Sequence, residues 1–152
     1  MVRKARLLYG DKKDFKKFSG PALSQGWTEE RQNRVIIANY GNAIEYLGKL
    51  IDDHEDSDRL VFYRDACAFS DRFVQLLAGI NRMDIASSRS MYGQALAARI
   101  RPNGLERDLM SVSGFDGKKR DAGKALASAK RLMRWAADYL KGEYGAKMPA
   151  LY

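Results

Sequence analysis

The chain has 152 residues, 45% of them hydrophobic and 30% charged, with a formal net charge of +8. That length fits one domain able to bury a sizeable core, and eight Tyr, six Phe and two Trp argue against wholesale disorder. A single cysteine excludes an internal disulfide framework and fits a reducing compartment. No apolar run approaches the ~18 residues of a bilayer span, so a cytoplasmic protein with no membrane partner is expected.

The placement of charge is more informative than its sum. Residues 1–27 carry seven Lys/Arg against two acids, and residues 115–152 carry nine against four. Between them, residues 28–60 carry four against eight. Two basic ends around an acidic early segment suit either a polyanionic partner or head-to-tail contact between copies of the chain.

Residues 1–27 read as a basic arm, partly irregular, because Gly10, Gly20 and Pro21 interrupt any long helix. The arm lacks the continuous apolar stretch of a secretory leader. Arg3, Lys4, Arg6, Lys12, Lys13, Lys16 and Lys17 are interleaved there with Leu7, Leu8, Tyr9, Phe15 and Phe18. Two readings stand: lysines and arginines neutralising phosphates while rings stack on bases, or a solvated terminus whose Leu-Leu-Tyr patch docks on the body.

A helical bundle is expected over residues 28–144. Thr28 is a good N-cap, followed by Glu29 and Glu30 where the helix dipole favours acids. Val35/Ile36, Tyr40, Ala43/Ile44, Leu47 and Leu50/Ile51 recur at helical spacing. Gly41 and Gly48 lie close to one face of this helix, where they either allow a neighbour to come close or are neutral. The helix stops in the acidic run Asp52 to Asp58, which contains His54, the only histidine. Calcium-loop spacing is missing there, and contiguous carboxylates diverge. The run is expected to be a solvated loop, an N-cap for the next helix, or an acidic patch for self-association, with no metal.

A second helix, about Ser57 to Asn81, places Phe62, Ala66, Phe69, Phe73, Leu76/Leu77 and Ile80 on one stripe at the heart of the core. Cys67 falls between core positions and is expected to be small-residue filler. A third helix is expected over about Ser88 to Arg101, using Met91, Tyr92, Leu96 and Ile100, and a short one from Leu105 to Val112. These two resemble a helix-turn-helix with Arg99, Arg101 and Arg107 nearby, but the second is short and half acidic, unlike a recognition helix.

The last long helix, placed at about Lys118 to Glu143, organises the functional reading. Ala122, Ala125, Leu126, Ala129, Leu132, Met133, Ala136 and Leu140 share one side at 100° per residue. Arg120, Lys124, Arg131, Arg134 and Lys141 share the opposite side with Asp138, and Lys130 lies just beyond its edge. Trp135 and Tyr139 stand on the border. An apolar tail, residues 145–152, then leaves the helix and is expected to pack on the body or on another subunit.

No phosphate loop, nucleophile elbow, Cys/His metal spacing or second histidine is present, so neither an enzyme nor a cofactor is expected. The expected fold is an all-α single-domain bundle of about four main helices plus one short helix. The expected function is non-catalytic: a nucleic-acid-binding subunit of a larger nucleoprotein assembly, contacting the phosphates of RNA or single-stranded DNA. The alternative is a protein-interaction module, such as a phage or host inhibitor or a virion component, that docks the basic helix on an acidic protein.

Overall fold

The computed structural model describes residues 26–85, 87–114 and 121–145. Helix α1, Glu29–Glu55, begins where Thr28 accepts a hydrogen bond from the Arg31 N–H at 3.1 Å. Its buried side is Gln32, Ile36, Tyr40, Ala43 and Leu50, with Ile44, Leu47 and Ile51 partly buried beside them. Residues 56–58 then reverse the chain. Ser57 takes a left-handed φ of 60°, and Asp58 caps α2, Arg59–Ile80, by accepting from the Val61 N–H at 3.1 Å. The acidic run therefore ends α1 and starts its neighbour, one of the roles expected of it.

At the far end of this antiparallel hairpin, the buried side chain of Gln32 donates to the carbonyls of Gly79 and Ile80 at 3.2 and 3.1 Å. A helix leaves its last carbonyls without intrahelical donors, and Gln32 supplies them from α1. Gly79 is a point of close approach between the two helices: a Cβ built there would lie 3.0 Å from Val35 Cγ1. A Cβ at Gly41 or Gly48 would meet nothing within 4 Å, and both are exposed. The close approach considered for those two glycines is thus made by a third, on the partner helix.

Helix α3 spans only Met91–Leu96, against the fourteen-residue helix expected from Ser88 to Arg101. The cause is Asn81. Its side chain donates to the Ile100 carbonyl and accepts from the Ile100 N–H, each at 2.8 Å, so residue 100 is bonded outside any helix. Helix α4, Leu105–Ser113, is bounded by Gly104 and Gly114, both left-handed with φ of 73° and 70°. Helix α5, Ala122–Tyr144, starts four residues later than Lys118, because Asp121 adopts extended backbone and caps it by accepting from the Lys124 N–H at 3.1 Å.

Phe62, Phe69, Phe73, Leu76 and Leu77 of α2 form the centre of the core. Around them lie Ile36 and Leu50 of α1, Leu105 and Val112 of α4, and Leu132, Met133 and Leu140 of α5. Each such side chain contributes about 1.5–3 kcal/mol on full burial. Cys67 does not belong to this set. It is exposed, on the outward side of α2 shared with Leu60 and Arg64. The described residues form an all-α single-domain bundle of five helices without strands, three long and two short. No helix among them is long and apolar enough to cross a membrane.

Candidate nucleic-acid interface

Helix α5 is held against the bundle by Ala125, Leu126, Ala129, Leu132, Met133, Ala136 and Leu140, all buried, together with the hydroxyl-bearing Ser128. That anchoring fixes its other side outward. Lys124, Lys130, Arg131, Arg134 and Lys141 are exposed there, with Asp138 among them and Glu143 near the end. Among the described residues, Lys130, Arg134 and Lys141 make no ion pair. Lys124 lies 3.7 Å from its own cap, Asp121.

Arg131 differs from its neighbours on the stripe. It reaches across to α4, where Nη2 lies 2.8 Å from Asp108 Oδ1 and Nε donates to Oδ2 at 3.4 Å. Nη2 also donates to Ser128 Oγ at 2.7 Å. Asp108 is only 4% exposed and takes a further hydrogen bond from Arg107 Nε at 3.2 Å. Burial pushes the Asp108 carboxyl up, but the hydrogen bonds and positive charge of Arg131 and Arg107 outweigh it and hold the group below the usual carboxylate range. Arg131 is therefore partly a structural cation, its side chain still half exposed.

Trp135 is half-buried. Phe73 meets it edge-on at 6.4 Å between ring centroids, and Tyr139 lies nearly parallel to it at 5.6 Å and 13°. One indole face is thus engaged within the fold, which leaves less ring available for a nucleic-acid base. Arg120 and the arm cations Arg3, Lys4, Arg6, Lys12, Lys13, Lys16 and Lys17 lie outside the described residues, as does the tail beyond Gly145.

Two hollows flank the start of α5. An open groove of about 850 Å³ between α4 and α5 is lined by Arg107, Asp108, Ser111, Lys124, Ser128 and Arg131, among others. A second hollow of about 590 Å³ lies beneath the α1–α2 turn and includes Asp53, His54, Asp58 and Asp121. In it, Asp53 Oδ2 is buried with no hydrogen-bond partner among the described residues. Burial, then the carboxylates of Asp65, Asp58 and Asp52, raise the Asp53 pKa, against the opposing pull of Arg64. No group of three or more His, Cys, Asp or Glu among the described residues is arranged to hold a metal ion. The second hollow is lined by three carboxylates (Asp53, Asp58, Asp121) beside His54 and two cations, Arg59 and Lys124; the first has three cations, Lys124 among them again, to two carboxylates, Glu106 being the second.

Arg107 and Asp108 are the residues that sequence reasoning left out of the site. A signal for them exists: Asp108 shares the apolar stripe of α4 with Leu105, Leu109 and Val112. A carboxylate on a buried face needs a cation from a neighbouring element. No protein-family model, no curated protein and no solved structure matches this chain.

Proposed function

We infer that the outward side of α5 binds RNA or single-stranded DNA through its phosphates, without reading bases, and that the chain is a non-catalytic cytoplasmic subunit of a nucleoprotein assembly. The observation that carries this is the difference between two exposed helix faces in one molecule. On α1, Arg34 pairs with Glu30 and Lys49 with Glu45, the i,i+4 arrangement of a helix that simply faces water. On α5, Lys130, Arg134 and Lys141 have no such partner among the described residues. Like-charged side chains held on one rigid face repel each other, and a polyanion relieves that repulsion by releasing its own counterions.

The engagement of Trp135 by Tyr139 and Phe73 favours phosphate contact over base stacking. The test is fluorescence anisotropy of end-labelled dT20 and rU20 with the full chain over a range of salt, beside the triple variant Lys130→Glu, Arg134→Glu, Lys141→Glu. The expected result is salt-sensitive binding of either strand by the parent protein and its loss in a variant of unchanged helicity. A variant that binds as tightly as the parent would remove α5 from the mechanism. A parent protein that binds neither strand but purifies from its native cells with a stoichiometric acidic protein would instead support the protein-interaction reading.

A further inference from the structure

We propose that the groove between α4 and α5 seats one backbone phosphate of the bound strand, gripped by Arg107 and Arg131 as a clamp that Asp108 holds in position. The proposal rests on the nucleic-acid reading of α5 and adds to it a specific address and a residue, Arg107, from outside the basic helix.

The buried carboxylate of Asp108 lies between two guanidinium groups. Oδ1 is shared by Arg131 Nη2 at 2.8 Å and Arg107 Nε at 3.2 Å. A guanidinium carries five N–H donors in a rigid fork, and these contacts engage only part of each. The side chain of Arg107 remains 75% exposed and that of Arg131 50%. Arg131 is fixed at a second point by Ser128 Oγ.

Gly104 gives Arg107 its space. A Cβ there would lie 3.2 Å from Arg107 Nη2, so the missing side chain leaves room for the guanidinium to fold back over the first turn of α4. Two arginines already tied to one carboxylate lose less freedom on binding than two free ones. Planar forks of this kind match the oxygen geometry of a phosphate.

Charge agrees with geometry, narrowly. Arg107, Lys124 and Arg131 face Asp108 and Glu106 across the groove, an excess of one positive charge. Glu106, exposed on the rim, works against an incoming anion. From the groove the cations Lys130, Arg134 and Lys141, unpaired among the described residues, continue along α5, whereas the hollow beyond Lys124 has one more carboxylate than it has Lys and Arg, so α5 is the path the charge favours.

The experiment compares Arg107→Gln and Asp108→Asn with the parent chain, using 5′-hydroxyl dT20 as the probe and circular dichroism to check folding. Arg107→Gln should weaken binding about five- to tenfold and lower the salt slope by about 0.7, one phosphate contact on a single strand. Asp108→Asn discriminates more sharply. It makes the protein more positive by one charge, so charge alone would tighten binding, whereas release of the clamp weakens it severalfold.

Arg107 is exposed, so its variant keeps the test meaningful even if Asp108→Asn does not fold. Parent-like affinity and salt slope in Arg107→Gln, with the triple α5 variant still defective, would overturn the groove and leave the wider reading standing. A parent protein that binds neither dT20 nor rU20 would remove both. Equal affinity for 5′-phosphorylated and 5′-hydroxyl dT20 is expected of a backbone site; a tenfold preference for the phosphorylated end would overturn that assignment.

Discussion

Gly79 lies directly beneath Val35: a β-carbon at position 79 would stand 3.0 Å from Val35 Cγ1 and 3.3 Å from Ile36 Cγ1. This single small residue sets how closely α1 and α2 approach at the end of the hairpin. Alanine in a helix is favoured over glycine by about 1 kcal/mol, and at Gly41 or Gly48, open to solvent, nothing opposes that gain. At Gly79 the added methyl must displace a β-branched neighbour, and overpacking of this kind costs about 1–3 kcal/mol. Chemical denaturation should therefore find Gly41→Ala and Gly48→Ala more stable than the parent, and Gly79→Ala at least about 1 kcal/mol less stable than either. Equal effects at all three positions would mean that the helices do not meet at Gly79.

The Asp108 carboxyl gives a directional pH dependence. Its pKa in the folded chain lies below its unfolded value, near 3.9. The stabilisation from this group is thus fully present above about pH 4 and is lost as pH falls through the lower, folded value. Melting temperature followed from pH 6 downward should fall more gently below pH 4 in Arg107→Gln, Arg131→Gln double variants than in the parent. Parallel curves would show that the ion pair contributes nothing to acid sensitivity.

Charge reversal should separate Arg131 from Arg134, although both belong to the basic stripe. Arg131→Glu would place a second carboxylate against buried Asp108 and strip it of its main donor. Removing one partner of a buried ion pair costs about 3–5 kcal/mol, a figure that the half-exposed Arg131 reduces to about 1–3 kcal/mol. Arg134→Glu, on an open stretch of helix, should shift stability by less than about 0.5 kcal/mol. Thermal melting of the two single variants decides it, and indistinguishable values would contradict the pairing seen here.

Cys67 should react with a thiol reagent such as dithionitrobenzoate in the native protein without added denaturant, because its side chain faces outward on α2. Slow modification that accelerates only on unfolding would restore the interior position expected from the sequence.

Much of the bundle was legible from periodicity. The buried side of α5 matches the alanine- and leucine-rich stripe residue for residue, apart from Ser128 and the partly buried Ala122. The cap at Thr28 and the phenylalanine stripe of α2 were equally plain. What periodicity could not show was long-range chemistry that competes with local preference. Asn81 takes both backbone groups of Ile100 and cuts α3 short; that bond joins residues nineteen apart and leaves no local trace. Cys67 misled for a different reason: a small residue beside core positions can fall on either side of a helix, and one step of 100° carries it to solvent.

The exposed cation stripe of α5 was legible in outline and not in its sharing of labour. A stripe of cations can be counted from sequence, but which of them the fold has already occupied cannot. Arg131 reads like Arg134 until α4 brings Asp108 to it.

By its length, helix α5 would also act as a ruler on a bound strand. From Lys124 to Lys141 its axis advances roughly 26 Å at 1.5 Å per residue. If the strand keeps the roughly 3.4 Å rise that one strand has in a duplex, about seven or eight phosphates would lie beside it, more than the five cations the exposed side offers. On the nucleic-acid proposal, a strand with that rise laid along one copy would keep part of its negative charge, which would give a footprint of roughly eight nucleotides and an attraction for the next basic surface. Neighbouring molecules would then tile at a repeat fixed by the length of one helix.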